Sequence, residues 1–143
     1  MGRINWGRVF LGGIVAGIVI NLSETLLNTV VVKDDWAEAI RALGKDPATA
    51  MAGNAMVIWI LWGFLAGIGI VWGYAAIRSR FGPGPRTAAI AAIGAWFFAS
   101  FLSNLALMNM GLFPRKLIMT GLVWSLVEFV IAAVAGAWVY KEA

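Results

Sequence analysis

The chain has 143 residues, of which 62% are hydrophobic and only 13% charged, with a formal net charge of +4 and neither cysteine nor histidine. A soluble domain needs far more polar surface than this. The missing thiols and imidazoles exclude disulfide frameworks, thiol catalysis, Cys/His zinc sites and histidine-ligated haem.

The apolar residues come in blocks, which predict an all-α four-transmembrane-helix bundle forming one integral membrane domain over 1–143. The first span is expected at 9–32, where roughly 24 helical residues rise about 36 Å against a hydrocarbon core of about 30 Å. It is too long for a removable signal peptide, and no small-residue cleavage site closes it, so it reads as a signal anchor. A short interfacial amphipathic helix is expected next, at 35–43. In "DDWAEAIRALG" (34–44), Asp35 and Glu38 form a capping-box pattern and Gly44 a stop. Trp36, Ile40 and Leu43 fall on one face and Glu38, Arg41 and Lys45 on the other, the pattern of a helix lying flat at a membrane surface. A lid over an opening is the alternative. "DPAT" (46–49) then supplies a cap at Asp46 and Pro47 at a first helical position, leading into a second span at 51–77.

That second span carries glycines at 63, 67, 69 and 73 and several tryptophans, with almost no polar atoms at depth, and reads as a packing helix. "RSRFGPGPR" (78–86) is a tight Pro/Gly turn into a third span at 87–110. "NMGLFPRK" (109–116) is a similar turn into a fourth at 116–140. Lys and Arg stand at the ends of the blocks, as topology signals do, and form no nucleic-acid patch. Arg3, Arg8, Arg78, Arg80, Arg86 and Lys141 on one side against Lys33, Arg41, Lys45, Arg115 and Lys116 on the other favour cytoplasmic termini.

The first span raises the functional question. "INLSETLLN" (20–28) places a carboxylate and two amides in a segment bound for lipid. Gly13, Gly17, Asn21, Glu24 and Asn28 recur at helical spacing, so small residues form the upper part of one stripe and polar residues the lower. The fourth span repeats the design with Gly121, Ser125, Glu128, Ala132 and Gly136, and Ser100, Ser103, Asn104 and Met108 share a face of the third. Gly13, Gly17, Gly63, Gly67, Gly121 and Gly136 are the expected helix-packing positions. Asn21, Glu24, Asn28, Ser100, Asn104, Ser125 and Glu128 are expected to form one polar layer near the midplane.

An acidic side chain at a helix centre costs on the order of 2.5–3.5 kcal/mol on insertion scales. No Lys, Arg or His lies at this depth, so the glutamates must be neutral and hydrogen-bonded, share a proton, or hold a bound cation. Two functions follow. The layer binds or translocates a proton, cation or small cationic ligand, with Glu24 and Glu128 as charge partners. Alternatively the chain is a non-catalytic scaffold or accessory subunit whose polar residues are interhelical glue. A transport site needs a wet path to its carboxylates, whereas glue is dry and fully satisfied. No nucleophile–base pair, phosphate-cradling loop or metal-ligand spacing appears, so no enzyme, cofactor or metal is expected. The partners expected are the lipid bilayer and, through Gly13/Gly17 and Gly63/Gly67, a homo-oligomer or larger membrane complex. Trp59, Trp62, Trp96 and Trp124 read as deep filler, and Trp6, Trp36, Trp72 and Trp138 as interface anchors.

A faint repeat relates "LSETLLN" (22–28) to "LSNLALMN" (102–109) and "VIWILWGF" (57–64) to "LVWSLVEF" (122–129), as in a duplicated helical pair. Asn5-Trp6 before the first span, Asp35-Trp36 after it, and Leu102 to Asn104 with Pro114 to Lys116 between the last two give a family likeness. The chain resembles small uncharacterised bacterial four-helix membrane proteins, a resemblance that implies a fold and the bacterial cytoplasmic membrane but no activity. Its length, four spans and acidic first span are also similar, more loosely, to small multidrug-resistance transporters, although the motif of that family is not present around Glu24.

Overall fold

The computed structural model describes residues 3–50 and 52–142. Met51, expected to open the second span, lies outside them, as do residues 1, 2 and 143 of the expected domain. Every regular element among the described residues is helical: α1 (Trp6–Val31), α2 (Lys33–Ala42), α3 (Pro47–Ala50), α4 (Asn54–Phe81), α5 (Pro85–Met110) and α6 (Arg115–Val139). Helices α1, α4, α5 and α6 are long and apolar enough to cross a membrane.

Local chemistry moves several boundaries from those expected. The side chain of Asn5 accepts a hydrogen bond from Arg8 N at 3.1 Å, so α1 starts at Trp6 and not at residue 9. Asp46 does cap Pro47, accepting from Thr49 N at 3.1 Å. The helix that follows is only the single turn of α3, however. Gly53, at φ 62°, breaks the chain, and α4 begins at Asn54. It then runs to Phe81, past the expected end at 77, until Gly82 at φ 82° stops it. Pro85 stands at the start of α5, two residues before the expected 87. The fourth helix spans Arg115–Val139, shifted one residue from the expected 116–140.

The capping box at Asp35 is not formed. Helix α2 starts at Lys33, directly after Val32, and no side chain caps it. The cause lies upstream, where α1 continues through a π-helical turn over Leu27–Val31 and leaves only Val32 as a hinge. Side chains load the carbonyls just before that turn. Thr25 Oγ1 donates to Asn21 O at 2.7 Å, Asn28 Nδ2 to Glu24 O at 2.8 Å and Thr29 Oγ1 to Thr25 O at 2.6 Å. Gly44 ends α2 region as expected, at φ 74°. Ile40 and Ala39 are buried and Trp36 meets Phe113 edge-on at 5.5 Å, but Leu43, expected on the same face, is exposed. Ala39 joins Leu27, Val32 and Leu117 in a small core, so α2 sits across the end of the α1–α6 pair.

The four long helices pack in the cyclic order α1, α4, α5, α6, with α4 and α6 touching across the diagonal. In the α1–α4 seam, a Cβ on Gly13 would strike Ile68 Cα at 2.6 Å and one on Gly17 would strike Phe64 Cα at 2.8 Å. One turn further, Asn21 reaches Ile60 O. Each four-residue step forward on α1 matches a four-residue step back on α4, so the pair is antiparallel in constant register. Gly63 and Gly67 complete this seam from the other side. The α1–α6 seam uses Gly136 against Gly12, a position not singled out from the sequence. Gly121 corrects the expectation, since a Cβ there would meet nothing within 4 Å. Gly13, Gly17, Gly63 and Gly67 are consumed inside one chain and are not free to pair copies.

The main core includes Val9, Ala16, Ile20, Ile70, Val71, Tyr74, Ala88, Phe129, Ala132 and Tyr140, gathered toward the end where Asn5 meets Tyr140. That end is also closed by polar contacts. Arg78 Nε pairs with Glu142 Oε1 at 3.5 Å, while its guanidinium lies 5.5 Å from the Tyr140 ring centroid. The Tyr140 hydroxyl accepts from Asn5 N, and that of Tyr74 from Gly84 N, both at 3.2 Å. At the opposite end the bundle is looser, with Met56 to Trp62 of α4 and Phe98, Leu102 and Leu105 of α5 all exposed.

Candidate functional site

The seven expected layer residues do not form one layer. Helix α6 runs antiparallel to α1, with Gly12 against Gly136 and Trp124 Nε1 donating to Ser23 Oγ at 2.9 Å. That register sets Ile20 opposite Glu128 and Glu24 opposite Trp124, so the two glutamates are offset by one turn, about 5–6 Å. They stand on the same seam and near enough to interact electrostatically.

The third span departs from the expectation. Helix α5 packs on α4 and α6. It is registered to α6 by Trp96 Nε1, which donates to Leu122 O at 3.2 Å and Ser125 Oγ at 3.1 Å. Ser100 and Asn104 therefore stand level with the first turns of α6, roughly 12 Å and 18 Å respectively along the bundle from Glu128 at helical rise. Asn104 bonds back onto Ser100 O at 2.9 Å. A second π-helical turn, Phe97–Phe101, lies here. It precedes the "LSNLALMN" motif, whereas the π turn of α1 ends beyond "LSETLLN", so the backbone does not repeat where the sequence does.

Most of the polar side chains are used within the chain. Asn21 Nδ2 donates to Gly17 O at 2.9 Å and across the seam to Ile60 O at 3.2 Å, and its amide occupies the space where a Gly63 side chain would be. Ser125 donates to Leu122 O at 3.1 Å while accepting from Trp96. Glu24 is half-buried, and its Oε2 accepts from Asn28 Nδ2 at 2.8 Å.

Glu128 is different. It is 3% exposed, and neither carboxyl oxygen has a hydrogen-bond partner among the described residues. The hydroxyl of Ser23, which accepts from Trp124 Nε1, is the nearest donor to it, close enough to act on the carboxyl but outside hydrogen-bond geometry. The carboxyl is thus dry like glue, yet unsatisfied, as glue is not. Above it runs a groove of about 680 Å³ along the flank of α6, with Ser23, Thr120, Trp124 and Glu128 toward its floor. Met119, Val123, Val127 and Ile131, all exposed, form the outer wall.

Ser23 and Thr120 carry no expectation from the sequence, and Trp124, expected as deep filler, lines the groove and holds Ser23. The usable signal was the spacing of Thr120, Trp124 and Glu128, four residues apart and hence one stripe of α6. Comparison with family models, with curated proteins and with solved structures yields no match.

Proposed function

We propose that the chain is a non-enzymatic integral membrane protein whose α1–α6 seam binds or translocates a proton, cation or small cationic ligand at Glu128, with Glu24 as the second charge. One observation carries this reading: a carboxyl nine-tenths and more buried, with both oxygens unpartnered, under an apolar groove. Leaving such a group unpaired costs on the order of 1–3 kcal/mol. A ligand that completes its bonds accounts for its presence at a position where Met would pack at lower cost.

In this reading the four long helices cross the bacterial cytoplasmic membrane, and the arginine-rich end where Asn5 meets Tyr140 faces the cytoplasm. Helix α2 lies at the opposite surface, docked over the end of the seam. The scaffold alternative keeps support from Asn21, Asn28, Asn104 and Ser125, each hydrogen-bonded within the chain. We assign those four residues to interhelical and local glue, and the binding role to Glu128.

The test is reaction of the purified protein with dicyclohexylcarbodiimide, a hydrophobic reagent for carboxyls in apolar surroundings, with the adduct located by peptide mass spectrometry. Glu128 should be modified, and protons aside, monovalent cations or small amines should slow the reaction. An unreactive Glu128, or labelling indifferent to every cation tried, would remove the binding role and leave the scaffold.

A further inference from the structure

The groove specifies the ligand more closely, on the reading that Glu128 is a binding carboxyl. We infer that the site takes a hydrophobic amine, bound as its ammonium. Its N–H groups bond the two free oxygens of Glu128, and its apolar body lies along α6 under Val123, Val127 and Ile131.

Three observations carry this. First, side-chain oxygen donors at the groove are few: Glu128 itself and the hydroxyls of Ser23 and Thr120, with Glu24 one turn away and already bonded to Asn28. No cluster of three or more His, Cys, Asp or Glu exists among the described residues to hold a metal ion. Ca²⁺ or Mg²⁺ stripped of water needs about six or more oxygen ligands, whereas an ammonium needs only as many acceptors as it has N–H groups. Second, the unmet valence is that of two acceptors with no donor in hydrogen-bond geometry and only the single hydroxyl of Ser23 nearby. A quaternary cation brings charge but no N–H, and an alcohol brings one donor but no charge. A protonated amine brings both. Third, the rest of the groove is apolar and opens sideways past exposed aliphatic side chains, and its volume of about 680 Å³ is that of a site for a small organic molecule. The entrance therefore faces the same surroundings as the outer faces of the helices, and a ligand dissolved in the membrane reaches it laterally. Trp124, whose N–H is tied to Ser23, lines the path and offers a ring for cation–π contact.

The oxygens lie just beneath the floor and have almost no free surface. Binding thus includes a rotation of the Glu128 side chain into the groove, one staggered well to another. That keeps the carboxyl dry when no amine is present.

The experiment is titration calorimetry on the full chain in lipid nanodiscs with a matched set: 4-phenylbutylamine, its alcohol 4-phenylbutanol, and its trimethylammonium analogue. The amine should bind at least tenfold more tightly than either of the others. Glu128→Gln should weaken the amine at least tenfold while leaving the alcohol unchanged. Val127→Trp alters an exposed side chain, so folding is spared, and it should weaken the amine by obstructing the groove. Equal binding of amine and trimethylammonium analogue would overturn the donor argument. Equal binding of amine and alcohol would make the groove a slot for lipid chains. If the amine fails to bind while small monovalent cations still protect Glu128 from the carbodiimide, the inference falls and the proposed function stands. If no cation of any kind binds or protects, both fall.

Discussion

Replacing Glu128 by methionine should stabilise the protein. The carboxyl is 3% exposed with two unpartnered oxygens, a state that costs about 1–3 kcal/mol in unmade hydrogen bonds. Methionine is unbranched and of similar length, and such near-isosteric exchanges cost less than about 1.5 kcal/mol in packing. The net gain expected is about 1–2 kcal/mol. For a chain of this size that raises Tm by roughly 3–7 °C. The contrast is Glu24→Met, where the carboxylate is half-buried and satisfied by Asn28 at 2.8 Å. Breaking that bond should lower stability by about 0.5–1.5 kcal/mol. Thermal unfolding followed by circular dichroism in one mild detergent, at neutral pH, compares the two directly. A Glu128→Met protein that melts at or below the parent temperature would mean that the carboxyl is structurally engaged, and the claim that it is held at a cost would be lost.

Gly67→Ala should destabilise by roughly 2–4 kcal/mol, because its Cβ would sit 2.5 Å from both Gly13 O and Gly17 N, backbone atoms that cannot rotate away. Gly69→Ala, on the same helix with nothing within 4 Å, is the control and should be neutral or better; similar melting of the two variants would contradict the α1–α4 register. A double-mutant cycle on Ser23→Ala and Trp124→Phe should return a coupling of about 0.6–1.7 kcal/mol for their 2.9 Å bond, and additive effects would refute that contact.

The long helices and their stops were legible because they rest on local chemistry. Apolar runs, Gly82 at a left-handed stop, Pro85 at a helix start and Asp46 as a cap act over a few residues. Where the local reading failed, a neighbouring segment intervened. The box at Asp35 and Glu38 is a sound cap pattern, but α1 overruns through a π turn and delivers the chain to Lys33 already helical. The stripe from Gly13 to Asn28 was equally visible, yet it serves two different neighbours. Gly13, Gly17 and Asn21 face α4, whereas Ser23 and Glu24 face α6.

The sequence alone determined that two carboxyls lie deep in apolar helices with no cation at their level, since composition and depth are properties of each segment. Only the tertiary structure decided which of them is left without a partner. Successive helical residues point about 100° apart, so a single step separates the Asn28-bound carboxylate of Glu24 from Ser23, which meets Trp124 across the seam. Glu24 finds its donor on its own helix, in Asn28 one turn on, whereas whether Glu128 meets one depends on the register and rotation of the helix opposite. Those are set by glycines elsewhere in the seam, Gly12 against Gly136, and not by any residue next to Glu128 in the chain.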